Sequence, residues 1–256
     1  MSSQEGHVKH QIKNNLGIIE FYHPLSNSLP GDILSKLAST INDLGQNPEA
    51  KVILVQSAGD RAFCAGASFD ELVAVSNFEE GKEFFSGFAR VINAMRKCPK
   101  FIIGRVQGKA VGGGVGLASA VDYCFGTKHS AIKLSELAIG IGPFVVGPAV
   151  ERKVGTSAMS NLTMDAKSWK SAEWAYNKGL YAHISENTEE MDSAIEELSS
   201  SLVQSNPEAM KALKKVFWEG TENWDNLLLE RAALSGELVL SDFTRNAIAS
   251  FKSGKR

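Results

Sequence analysis

No uninterrupted apolar run in this chain approaches the roughly 20 residues that a bilayer-spanning helix needs. Met1-Ser2-Ser3-Gln4-Glu5-Gly6 carries no apolar signal core, so the expectation is a cytoplasmic protein with no membrane partner. An excess of one charge sign is also missing. Lysine and arginine total 27 against 29 aspartates and glutamates, giving a formal net charge of -2. That leaves no broad basic field to hold nucleic acid, and none is expected as a partner. Cysteine is sparse. Cys64, Cys98 and Cys124 form an odd set without metal-ligand spacing, which reads as free thiols in a reducing compartment and no metal site. The five histidines are scattered, and none is placed in sequence to activate Cys64 as a nucleophile. The Lys-Ser/Thr of a Walker phosphate loop is absent, and so is the Rossmann glycine spacing.

What remains is an ordinary globular composition over 256 residues, 43% hydrophobic and 22% charged. This length can bury a sizeable core as one large domain, or as one domain with a helical appendage. Residues 7–23 read as a hairpin turning at Asn14-Asn15. A helix follows from Pro30, with Ile33, Leu34, Leu37, Ile41 and Leu44 on one stripe and Gly45 as its stop. Val52–Val55 is a strand. Phe84, Phe85, Phe88, Val91, Ile92 and Met95 recur at helical spacing over 78–97. A strand at 101–106 leads to Gly112-Gly113-Gly114 and a short helix over Val115–Ala120. Tyr123–Phe125 and Ala131–Leu134 read as strands. From Pro148 onward the pattern is almost all helical: Pro148–Val154 closed by Gly155, a helix capped by Ser168 and ending near Gly179, then 188–205, 207–219, 222–236 and 242–253. Alternating β and α followed by helices predicts a mixed α/β core with a helical C-terminal region.

Two segments carry the chemistry. Phe63-Cys64-Ala65-Gly66-Ala67 and Gly112-Gly113-Gly114 each follow a β-branched strand. Small residues leave main-chain N–H groups uncovered and let a ligand approach. Two such groups from separate loops can converge on one oxygen that gains charge during reaction, and each donor is worth roughly 3 kcal/mol of barrier. A helix opening at the triple glycine adds its dipole. Taken alone, either loop also fits plain close packing.

Four stretches, in order, resemble the crotonase superfamily, the enoyl-CoA hydratase/isomerase group. They are Arg61–Ala67, Gln107–Gly114, Asp122 with the strand after it, and Leu134-Ser135-Glu136-Leu137. The resemblance spans about residues 8–253. It implies a ββα spiral of two near-perpendicular sheets over residues 1–190. It also implies a C-terminal helical region, 191–256, that builds homotrimers or dimers of trimers. The implied substrate is an acyl-CoA thioester, with coenzyme A part of the substrate and no separate cofactor. Its oxygen would lie on the N–H groups of Ala67 and Gly113. Of the two glutamates that hydratases of this group use, the later matches Glu136, and the earlier falls on Gly116, which has no side chain. One carboxylate suffices to move a proton between carbons and so shift a double bond. Relatives resembling 3-methylglutaconyl-CoA hydratases also keep only the later one. The implied readings are therefore an enoyl-CoA hydratase, a Δ3-Δ2-enoyl-CoA isomerase, or a non-catalytic acyl-CoA binder in fatty acid metabolism.

The resemblance places CoA contacts at Leu25, Ser26 and the run Ala65 to Phe69. Ser68 stands where an aspartate is common. Phe251 with Lys252 or Lys255 resembles a tail that reaches a neighbour's nucleotide. His23 lies near the same region. Phe69, Leu72, Phe84 and Phe88 line the acyl pocket or the core. In Gly140–Gly147, Phe144, Val145 and Val146 replace smaller residues, which predicts a short or branched acyl group. Glu71, Glu79, Glu80 and Glu83 are candidates for a second acid, or a solvated face.

Overall fold

The structure, a computed structural model, describes residues 6–252 and the side chains of residues 6–250. The hairpin is β1 (His7–Lys13) and β2 (Leu16–Tyr22), antiparallel, turning through Asn14 and Asn15 with φ of 51° and 62°. Asparagine tolerates this left-handed pair, and its twist suits a two-residue hairpin loop. Then come β3 (Ser28–Leu29), α1 (Gly31–Gln46), β4 (Val52–Ser57), β5 (Ala62–Cys64), β6 (Gly66–Ala67), α2 (Phe69–Ala74) and α3 (Phe78–Lys97). The next turn is β7 (Ile102–Val106), β8 (Lys109–Val111) and α4 (Gly113–Ala120). It is followed by β9 (Tyr123–Thr127), β10 (Ile132–Lys133), a 3₁₀ turn at Glu136–Ile139 and α5 (Gly147–Met164). The remainder is α6 (Ala172–Asn177), β11 (His183–Ser185), α7 (Thr188–Val203), α8 (Pro207–Phe217), α9 (Trp224–Leu238) and α10 (Asp242–Lys252).

The topology is a spiral. Each turn gives one strand to a large sheet, ordered β1-β2-β4-β7-β9-β11, and one to a small sheet, ordered β10-β8-β5. From β2 onward the large sheet is parallel. Both its faces are covered, as parallel sheets require. Ile53 and Val55 of β4 join Leu34, Leu37 and Ile41 of α1 and Ile92 of α3 in the main core. The alternate residues Val52 and Leu54 join Ile103 and Phe125 against Met191, Ile195 and Val203 of α7. The division expected at 190/191 falls inside α7.

Several boundaries differ from the sequence reading. Gly45 does not stop α1, which runs to Gln46. It is buried, and a Cβ there would sit 3.3 Å from Cys98 Sγ, so it serves close packing. Gly155 does break α5, with φ 77°, but helix resumes to Met164. Ser171, not Ser168, caps α6, with its side chain accepting from the Trp174 N–H. The reason is that Lys170 bridges Ile132 in an extended pairing, which holds the preceding residues out of a helix. The β11 and β6 strands were not foreseen.

The C-terminal helices are fastened to the sheet by an ionic hub. Asp122 accepts from Lys214 Nζ at 2.6 Å, Trp218 Nε1 at 2.9 Å and the Ile102 N–H at 2.8 Å. Arg152 stacks 4.0 Å over the Trp218 ring. Lys153 reaches the Asp122 carbonyl, and burial lowers its pKa. At the crossing of α3 and α9, Gly81 and Gly236 meet so closely that a Cβ on Gly81 would lie 2.9 Å from the Gly236 carbonyl oxygen.

Candidate active site

The two glycine-rich loops meet. A Cβ on Gly66 would lie 3.2 Å from the Val111 carbonyl oxygen and 3.6 Å from Gly113 N. One on Gly114 would overlap the Cys64 carbonyl at 2.3 Å. Gly112, with φ 52°, turns the chain from β8 into α4. Its own N–H is spent on the Lys133 carbonyl at 2.9 Å. Gly113 opens α4, two residues before the Val115 start expected from the sequence, and a first-turn N–H has no intrahelical acceptor. On the other loop, the Ser68 N–H bonds the Leu29 carbonyl at 3.0 Å. Successive amides of an extended chain point in opposite directions, so the Ala67 N–H points away from β3. Phe88 lies beneath this corner, where a Cβ on Gly113 would strike its ring at 2.2 Å.

Behind the first loop, Asn27 Nδ2 donates to the carbonyls of Ala58 and Ala62, each at 3.0 Å. Gln107 Nε2 donates to Ser57 Oγ and the Gly59 carbonyl, each at 2.9 Å. Gly108 lies under the Arg61 carbonyl, where a Cβ would come within 2.5 Å. The stretches Arg61–Ala67 and Gln107–Gly114 thus form one packed unit.

Glu136 completes the corner. It opens the 3₁₀ turn rather than ending a strand, and its carboxyl is not solvated. The residue is half-buried as a whole, yet Oε2 is shielded from solvent and has no hydrogen-bond partner among the described residues. Oε1 lies against Gly112, where a Cβ would approach it to 2.9 Å. Burial raises the carboxyl from an ordinary 4.5 to about 7, while the backbone N–H groups of Glu136 and Ser135 act in the opposite sense. Such a group exchanges protons near neutrality.

No second carboxylate joins it among the described residues. Glu71 binds the Gly31 N–H, Glu80 binds the N–H and hydroxyl of Ser76, and Glu83 pairs with Arg90. Glu79 is exposed. The space beyond Gly116 is filled by Val146, whose Cγ1 would lie 2.5 Å from a Cβ there. Val146, expected from the sequence to narrow the pocket, thus occupies the space of a side chain at 116. Cys64 is buried, and its thiol is pushed up to about 12, so it is no nucleophile at neutral pH. His23 Nδ1 is buried with no hydrogen-bond partner among the described residues, and the His23 N–H bonds Asn27 Oδ1.

The family profile described as enoyl-CoA hydratase/isomerase matches residues 11–245. The chain belongs to the enoyl-CoA hydratase/isomerase family. Its relatives include a short-chain-enoyl-CoA hydratase of Clostridium acetobutylicum, 26% identical over 88% of this chain and 86% of that protein. A mitochondrial methylglutaconyl-CoA hydratase of Homo sapiens is 28% identical over 86% of this chain and 67% of that protein. A solved enoyl-CoA hydratase of Bacillus halodurans superposes with a TM-score of 0.88 at 19% identity, covering 95% of this chain and 99% of its own. The fold is therefore the crotonase fold, and the chain is an enzyme of the hydratase/isomerase family.

Within this family member the expected CoA contacts are placed as follows. Leu25 and Ser26 are exposed on a turn in which Ser26 and Asn27 both have positive φ. The Ala65 N–H returns to the carbonyls of Ser26 and Asn27, so the two stretches adjoin. Ser68 Oγ accepts from the Glu71 N–H and caps α2. Phe69 and Phe84 both pack against the cluster of Leu72, Ile141, Val239 and Ile248. Phe144 is half-buried and folds over Gly142. The side chains of Phe251 and Lys252, and residue Lys255, lie outside the described residues. Two open clefts of about 560 and 790 Å³ border α7, one along β11 and one beside β2 and β4, and neither includes Glu136.

Proposed function

We propose that this protein moves a proton at the carbon next to an acyl-CoA thioester, and that its reaction is the shift of a double bond between the 3 and 2 positions. The Ala67 and Gly113 N–H groups receive the thioester oxygen as it becomes enolate-like. Glu136 takes the proton from one carbon and returns it to the other. The observation that carries this reading is a single carboxyl, buried against Gly112 and held near neutral pKa, with Val146 in the space of a side chain at 116. Phe144, Val145 and Val146, just before α5, favour short or branched acyl groups. Coenzyme A enters as part of the substrate, contacted near Leu25, Ser26 and Ala65–Phe69, and the working unit is a homotrimer or a pair of trimers in the cytoplasm.

Hydration is the second reading. The likeness to the short-chain-enoyl-CoA and methylglutaconyl-CoA hydratases favours it. In it, Glu136 would both orient water and protonate carbon. A panel of 2-enoyl-, 3-enoyl- and methylglutaconyl-CoA thioesters separates the two. Fastest turnover of a short 3-enoyl thioester is expected, and faster hydration of a 2-enoyl thioester selects the second reading. Exchange of the α-hydrogens of butyryl-CoA in D₂O tests the shared step. Glu136→Gln should slow both reactions by about 10² or more. Full activity in that variant sinks the assignment of the proton carrier.

A further inference from the structure

The turn that carries Glu136 is weakly held by its own bonds. It is a single 3₁₀ turn with no fully buried residue, and Leu137 is exposed on it. Such turns have poor hydrogen-bond geometry and do not define a side chain's place unaided. Within the segment the bonds are local: Ala138 N–H to Ser135, Gly140 N–H to Leu137 and Ile141 N–H to the Glu136 carbonyl. Among the described residues, one side-chain hydrogen bond reaches residues 135–142 from another element. It comes from α10, where the buried Thr244 Oγ1 donates to the Gly140 carbonyl at 3.2 Å. Gly140 has φ 85°. A Cβ there would strike Thr244 Oγ1 at 2.5 Å and the Phe243 ring at 2.6 Å. Farther along α10, Ile248 is buried with Ile141 after the turn and with Leu72 of α2, the helix that follows Ala67.

We propose that α10 is the positioning element of the site. Thr244, through Gly140, fixes the Glu136 turn against the Gly112–Gly113 corner, and Ile248 ties that turn to α2. The inference rests on the reading of Glu136 as proton carrier. Thr244 acts through the turn and touches no reacting atom. Among the described side chains of α10 the charged Asp242 and Arg245 are exposed, and the buried Thr244 and Ile248 are uncharged.

Thr244→Val removes the hydroxyl and keeps the shape. It should lower kcat about tenfold or more, since a misplacement near 1 Å can cost about a hundredfold, with KM changed much less. Thr244→Ser should restore most of the loss. A carboxyl titration of Glu136 by isotope-edited spectroscopy reads the same effect without substrate. Its midpoint should fall toward the ordinary carboxylate range in Thr244→Val, as water reaches the loosened turn, and return in Thr244→Ser. Phe243→Ala is the second variant. Its side chain is 71% exposed, so folding should survive while Gly140 is uncovered. A lower melting temperature with unchanged kcat and midpoint in both variants overturns the proposal. So does a loss that serine fails to restore. Activity persisting in Glu136→Gln would instead sink the proton-carrier assignment, and the titration then judges α10 alone.

Discussion

At the scale of single residues, the candidate site holds one acid out of water. Among the described residues Glu136 has no salt-bridge partner, and burial is what raises its pKa. The folded state therefore binds its proton more tightly than the unfolded chain does. Its contribution favours folding least above pH 7, and stability falls as pH rises from about 4.5 to about 7. A shift of that size corresponds to roughly 3 kcal/mol in the fully ionised protein. Glu136→Gln removes the cost. The variant should gain stability over the native protein at pH 8 and little at pH 5, as read by urea melts at both values. An equal gap at both pH values would deny the burial. The resemblance to the family, carried by Leu134-Ser135-Glu136-Leu137, singled out this carboxyl as the candidate, whereas the residues alone also fitted a solvated strand end. The burial of Oε2 was not legible, because the turn and Gly112 come from separate stretches of chain. Val146 was hidden for the same reason, with 30 positions of chain between it and the glycine whose space it fills.

At the scale of elements, periodicity was the strongest guide. The α3 helix spans Phe78–Lys97, as its apolar spacing predicted, since Asn77 caps the start by accepting from the Glu80 N–H and Pro99 follows the end. Short strands were harder to read. The β6 strand is two residues long, and β11 is three, too few for alternation to show. Glycine was ambiguous because one residue type serves two purposes. At Gly155 and Gly179 it provides positive φ, whereas at Gly45, Gly81 and Gly236 it provides room. The crossing of α3 on α9 makes the second purpose measurable. In an exposed helix, Gly81→Ala would gain about 1 kcal/mol. Here the new methyl meets the Gly236 Cα and carbonyl at 2.9 Å, and backbone cannot rotate aside. Overpacking costs about 1–3 kcal/mol, so a net loss of stability is expected. A calorimetric melt at or above the native midpoint would show that the helices part without cost.

At the scale of the whole molecule, the helical C-terminal part and the spiral share a core. Trp218, Trp224, Leu228 and Ala232 belong to the same cluster as Ile53 and Ile92. The order of strands then helices was legible in the sequence, but the join between them was not, because Asp122 and Lys214 are 92 positions apart. Both side chains are nearly inaccessible. Asp122→Ala strands the Lys214 ammonium in a dry interior, at a cost of about 3–5 kcal/mol. Chemical unfolding followed by tryptophan emission should show the midpoint drop as one transition. Two separated transitions would mean that the helices unfold apart from the spiral.

The three cysteines lie in different parts of this shared core. Cys64 stands in the loop before Ala67, Cys98 caps α3, and Cys124 lies within β9. All three are buried. A thiol-blocking reagent can therefore reach them only when the surrounding structure opens, so the speed of labelling at each one clocks local against global unfolding. The native chain carries three such timers, one beside the candidate site, one at the end of α3 and one within the sheet, with no label engineered in.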